Sequence, residues 1–326
     1  MSGLPSHILP NYSEEARQDA LFHYTTGLGL VGIVENNELW CTSYHCSNDE
    51  HELAAGRGAL TPLFRHEMHR LEEANDARIT KFARRGVDSF EYADNFEEHI
   101  IALAFSSLAT YIACFCIPVG KEDFLHGLLS QWRGYGVDGG YAIQVSRRKL
   151  VAAIERTRKA ESLNYELQDV HYTKENAHKA AVLEHSDAFL STFQQYLDDL
   201  AQPLGVDRAW RNPLAGSLNG PLESLIDYRI QTKNSHFSEE RECRLSLVQL
   251  ASKVSGERPV RHFVRSGLVV PYTTTPPSID ILGCIEWVVI GPGPRMNARF
   301  KSVTQLVRQS GREIRVRASH IPFHRS

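Results

Sequence analysis

Short apolar runs rich in β-branched and aromatic residues occur at both ends of this chain, and two long charged stretches without them separate the groups. That distribution constrains the fold most. "DALFHYTT", "LWCTSYHC", "IALAFSS", "YIACFCIPV" and "GGYAIQVS" read as strands in the first half; "ECRLSLV", "RSGLVVPY", "CIEWVVIGP" and "REIRVRAS" do so near the end. Each is too short for an ordinary helix and suits a pleated, buried position. Residues 52–100 and 174–232 are charged or repeat their apolar residues at helical spacing, as Phe189, Phe193, Leu197 and Leu200 do. Strands gathered from both ends, with helical insertions at about 52–100 and 174–232, predict one α+β domain over 1–326 rather than a series of βαβ units.

The totals agree. The 326 residues are 42 % hydrophobic and 23 % charged, with a net charge of −3, which fits a core-forming chain with no general attraction to nucleic acid or membrane. No apolar run approaches the roughly 20 residues of a membrane span, and the N-terminus lacks a basic start and an apolar core, so no secretion signal is expected. The six cysteines form no C-x-x-C pair and read as reduced, buried residues of a cytoplasmic protein rather than a zinc site. One asymmetry stands out. Residues 295–326 carry eight Lys or Arg against Glu313 alone, a net +7 that suits phosphates or, equally, a solvated basic helix and strand.

Chemistry concentrates in four places. "QTKNSHFSEERECRLSLV", residues 231–248, loads charge beside a strand. On a strand, Glu240, Glu242, Arg244 and Ser246 share one face, with the carboxylates about 6–7 Å apart. The competing reading is a helix start with Ser238 as N-cap and the glutamates in its first turn. "FHYTT" sets His23, Tyr24 and Thr25 at a strand end before Gly27 and Gly29, where a ligand can approach the backbone. "LLSQWRGYGVDGGYAIQV" packs Gln131, Trp132, Arg133 and Tyr135 among glycines ahead of Tyr141. Rings, a guanidinium and bare backbone suit a flat ring and its phosphates, although the spacing is not that of a dinucleotide-binding turn. "SNDEHE" clusters Asn48, Asp49 and Glu52, a polar group or a helix cap.

In this order, "LFHYTTGLGLVGIVENNELWCTSYHCSNDEHE", "LLSQWRGYGVDGGYAIQVS", "FSEERECRL", "VVIGP" and "IRVRASHIPFH" resemble the bacterial family called domain of unknown function 2971. More distantly, a strand histidine, a glycine–aromatic strand and a late R-E-x-x-L strand are similar to ADP-ribosyltransferases of the histidine–tyrosine–glutamate type, above all the toxins that modify nucleic acid. That resemblance implies a split β-sheet core of the ADP-ribosyltransferase kind. It also implies NAD as co-substrate and transfer of ADP-ribose to a macromolecular acceptor, in the setting of a toxin or phage-defence effector. By the same likeness His23 and Thr25, with Tyr24, would hold NAD, and Tyr141 or Tyr135 would stack on nicotinamide. Glu242 would be catalytic, with Glu240 as its helper. Asn48, Gln131, Trp132, Arg133 and Arg244 are the further ligand-binding candidates. The residues leave two other readings open: hydrolysis of NAD in the same groove, and a non-catalytic nucleotide- or nucleic-acid-binding module.

Overall fold

The computed structural model describes residues 10–46, 60–84, 91, 93–98, 100, 108–135, 139–161, 165–173, 186–201, 226, 230–250 and 259–321. It is a mixed α/β structure built on a ten-stranded, mostly antiparallel sheet. Strands β1 (Ala20–Thr25), β2 (Trp40–Ser43), β3 (Leu108–Cys116), β4 (Tyr141–Ser146), β5 (Tyr165–Asp169), β8 (Glu242–Leu250), β9 (Arg261–Arg265), β10 (Leu268–Thr274), β11 (Ile285–Ile290) and β12 (Arg315–Ala318) form it. β6 (His171–Thr173) and β7 (Thr232–Asn234) pair in parallel beside it.

β3 is the branch point. β8 pairs along its whole length on one edge, from Leu108↔Leu250 to Cys116↔Glu242. The other edge is shared, because β2 pairs at Tyr111 and Ile112 while β1 meets it only at Cys116. One wing then runs β1–β4–β11–β12 and the other β2–β10–β9.

Alternation along β3 divides the interior into three apolar clusters. Tyr111, Ala113 and Phe115 point to the larger one, under the helices Gly27–Asn36, Arg147–Glu161 and Met296–Gln309. Ile112 points to the opposite face, where Phe64 and Met68 of helix Thr61–Glu73 and Phe189 and Phe193 of helix Ser186–Leu200 cover it. Cys116, also on that face, lies under Phe124 and Trp132 from the helices Lys121–His126 and Leu129–Tyr135 and under Leu128 between them.

Several elements differ from the sequence reading. "IALAFSS", expected to pair in a hairpin, lies outside the described residues, as do 174–185 and 202–225 of the second insertion. "EDFLHGLLSQWRGYG", whose pattern reads as one helix running into a glycine turn, forms two helices broken at Gly127, whose φ of 78° and contacts with Tyr24 and Trp132 exclude a Cβ. β5, β6, β7 and β9 went unread because they are short and carry no clean apolar alternation. Of the cysteines expected to be buried, Cys46 and Cys114 are partly exposed; all six are reduced thiols, as expected.

In the basic C-terminal segment four of the eight cations have partners within the chain, while Arg295, Lys301 and Arg308 are exposed. Arg299 donates to the Gly291 and Gly140 carbonyls at 2.9 and 2.8 Å and to that of Gly139. Arg317 is buried, Arg315 lies over the Trp287 ring and Arg312 pairs with Asp280.

Candidate active site

The charged stretch resolves into both of the forms its sequence allowed. Residues Ser235–Glu240 make a 3-10 turn, capped not by Ser238 but by Asn234, whose Oδ1 accepts from the His236 N–H at 3.0 Å. Arg241 then adopts a left-handed conformation, φ 45°, and the strand starts at Glu242. Glu240 is therefore on the turn, not beside Glu242 on a strand face.

Glu242 is 6 % exposed. Arg244, two residues on and on the same face, grips its carboxylate with both arms: Nε donates to Oε1 at 3.0 Å and Nη2 to Oε2 at 2.9 Å. Arg244 Nη1 also donates to the Ile230 carbonyl at 2.5 Å. Lys233 Nζ lies 3.5 Å from Glu242 Oε2 and 2.7 Å from Glu240 Oε2, joining the two glutamates, and stands over the Phe237 ring. The Glu242 N–H donates to the Tyr172 hydroxyl at 2.8 Å. Burial alone would raise the Glu242 pKa, but Arg244 and Lys233 outweigh it and hold the carboxyl below its ordinary range. Burial and the same glutamates push the Cys116 thiol well up, so it stays protonated and inert.

This cluster sits on the sheet face between the two smaller apolar clusters. Cys114 lies there too, opposite Arg244 in register, partly exposed and packed against the Phe64 and Phe193 cluster. Helix Leu129–Tyr135 packs against the 235–240 turn, which brings the "QWRGY" stretch and the glutamates together. Gln131 is buried and Arg133 is exposed.

Other sequence candidates lie elsewhere. Register decides His23. Phe22 pairs with Cys116 and Cys116 with Glu242, so those three share a face and His23 points to the opposite one. There His23 Nδ1 donates to the Cys114 carbonyl at 2.9 Å, its ring packs on Phe115, and burial lowers its pKa. One ligand cannot touch both His23 and Glu242 through the sheet. Thr25 and Tyr141 are register partners on the His23 side. The Tyr141 ring already carries the Arg299 guanidinium 4.9 Å from its centroid.

Tyr24 and Trp132 are core residues. The Tyr24 hydroxyl accepts from the Leu128 N–H at 2.6 Å, Trp132 Nε1 donates to the His126 carbonyl at 2.9 Å, and the two rings meet edge to face. Tyr135 ends its helix. Asn48 lies outside the described residues.

Lys233 and Tyr172 were missed from sequence. Lys233 stands inside the charged stretch, so its sign was the available signal. Tyr172 had none, because only the β6–β7 pairing, His171↔Thr232, brings it to Glu242.

The elements that meet at this seam, from Gln131 to Leu245, also bound a family match. Residues 131–245 match the family described as Protein of unknown function (DUF2971). The matched stretch holds the 129–135 helix from Gln131, together with Lys233, Glu240, Glu242 and Arg244, and leaves out the strand of His23. No curated protein and no solved structure matches the chain. Among the described residues, no helix is long and apolar enough to cross a membrane, and no group of three or more His, Cys, Asp or Glu stands ready for a metal ion.

Proposed function

We propose that the protein is an ADP-ribosyltransferase-like enzyme that consumes NAD at the Glu242 seam and transfers ADP-ribose to a macromolecular acceptor, nucleic acid or protein. One observation carries this reading. A nearly buried carboxylate is kept anionic by Arg244 and Lys233, and Lys233 joins it to the partly exposed Glu240.

When the bond between nicotinamide and ribose breaks, its electron pair leaves with neutral nicotinamide and positive charge develops at the ribose carbon. An anion preorganised next to that carbon stabilises the charge as it forms, an effect of about 3–4 kcal/mol for a single preorganised group. The acceptor then bonds to the same carbon, and its proton passes to a base. Glu240, with its side chain 30 % exposed, takes that role. Arg133, on the helix packed against the turn, is available to the pyrophosphate. His23 keeps no part in this reading and serves the fold instead.

Purified protein is incubated with NAD and mixed cellular nucleic acid and protein, and nicotinamide release and labelled ADP-ribose are followed. Wild type should release nicotinamide, and Glu242→Gln should lose at least a hundredfold in rate, as when a preorganised charge-stabilising group is removed. Glu240→Gln, at a less buried position, tests the same groove if Glu242→Gln melts early. Label on a macromolecule means transfer, and release without label means hydrolysis.

A second reading rests on the Arg244 grip. Both Glu242 oxygens are already occupied, which suits a groove that binds a nucleotide without cleaving it. NAD bound by wild type and by Glu242→Gln, with no nicotinamide released, would establish that instead.

A further inference from the structure

We infer that the free edge of the second wing binds single-stranded nucleic acid, with a base on Trp40 and the backbone along Arg261 and Arg265. β9 ends the strand path. In "RHFVR", residues 261–265, Arg261, Phe263 and Arg265 alternate onto one face, cation–ring–cation at about 6–7 Å steps. Register places Trp40 and Tyr272 on that same face, through Tyr272↔Arg261, Tyr272↔Thr42 and Thr274↔Trp40.

The rings form one group across three adjacent strands. Trp40 stacks on Tyr272 with centroids 4.2 Å apart at 24°, and Phe263 lies 5.6 Å from Trp40 and 5.7 Å from Tyr272, edge-on to the latter. Trp40 is nonetheless 42 % exposed, unusual for the largest apolar side chain. Arg261 is more than half exposed and reaches Glu38 only at 4.0 Å. Arg265 Nη2 donates to the Cys46 carbonyl, which holds its guanidinium at the rim.

Sheet-face aromatics on neighbouring strands beside arginines are what unstacked bases and their phosphates need. A duplex keeps its base faces to itself and offers Trp40 nothing. The opposite face of the hairpin, with Val264 and Val269 exposed, carries no such pairing of ring and cation among the described residues.

For the transferase reading this surface names the acceptor class, and it rests on that reading only for that use, since binding needs no NAD. The test is fluorescence anisotropy of labelled oligo-dT and oligo-U with the full chain, without NAD. Duplex DNA and inorganic polyphosphate serve as controls.

Single strands should bind and quench tryptophan fluorescence. Trp40→Ala should weaken binding about tenfold or more, and Trp40→Phe should recover most of it. Arg261→Ala with Arg265→Ala should flatten the slope of log affinity against log salt by about 1.4. No binding overturns the inference. So does equal binding of polyphosphate and duplex that Trp40→Ala leaves unchanged, or a dimer through this wing that oligonucleotide does not disperse. Oligonucleotide binding without NAD consumption sinks the transferase reading alone. NAD consumption without oligonucleotide binding sinks this inference alone.

Discussion

Arg244 and Arg317 are both buried and both lie against the sheet, yet their charges are satisfied in opposite ways. Arg244 faces a carboxylate, and the pair is bidentate and joined by Lys233 and Glu240 into a network of two cations and two anions. Arg317 has no carboxylate partner among the described residues. It donates instead to the Phe124 and Leu125 carbonyls at 2.7 and 2.8 Å and to Gln144 Oε1 at 2.8 Å, with its guanidinium over the rings of Trp287 and Phe22. Those carbonyls end the short Lys121–His126 helix, where orphan acceptors and the negative end of the dipole favour a cation.

The difference separates a tie from a site. Arg317 fastens a helix end to the last strand, and every partner it has is neutral. Arg244 holds an anion in place, and under the transferase reading a held anion is what stabilises the developing charge. Buried charge alone therefore does not distinguish the two arginines; the charge of the partner does.

The largest expected effect breaks the Arg244 side of this comparison. Arg244→Ala leaves Glu242 buried with only Lys233, at 3.5 Å, to offset its charge, and should cost about 3–5 kcal/mol in denaturant unfolding. Replacing both residues, Glu242→Gln with Arg244→Met, should recover most of that loss. A double variant as unstable as the single one would mean that the pair is not energetically coupled.

Arg317→Met comes next. It forfeits charge-assisted hydrogen bonds but strands no opposite charge, so about 2–3 kcal/mol should go. A loss as large as that of Arg244→Ala would erase the distinction drawn between them.

Acid gives the smallest and most selective effect. The folded state holds Glu242 below its ordinary value of 4.5, while the unfolded chain protonates there. The stability this carboxylate contributes is thus present above pH 4.5 and is lost as pH falls below it. Melting curves should show a shallower acid decline for the Glu242→Gln/Arg244→Met variant than for wild type. Arg317→Met should follow wild type through that window.

Much of the layout was legible in the chain. Alternation in "YIACFCIPV" and "ECRLSLV" placed Cys243, Leu245 and Leu247 in the core and Glu242 with Arg244 on the other face. Helical spacing marked Phe189, Phe193 and Leu197 as a buried stripe, which they are. Local pattern also singled out the stretch that became the charged seam. Its limit is that it records which residues share a face of one strand, not which strands share a face of the sheet.

His23 and Glu242 show that limit. Each looked poised for a ligand within its own segment. The Phe22–Cys116–Glu242 register then sent them to opposite sides, because a one-residue offset reverses the direction of a side chain. Trp132 and Tyr24 look like ligand-stacking rings until Gly127 lets the chain turn tightly enough to fold them onto each other. Arg299 covers Tyr141 across 158 positions of chain.

By itself the sequence determined the longer apolar strands, the buried helical stripe of Phe189, Phe193 and Leu197 and the charge beside β8, since each depends on neighbours a few residues away. Tertiary structure alone decided that Tyr172 and Lys233 complete the Glu242 cluster and that Trp40 stands in the open beside Arg261. These arrangements depend on strand pairings between distant segments. The free energy that selects them comes from burying three apolar clusters at once, which no local window contains.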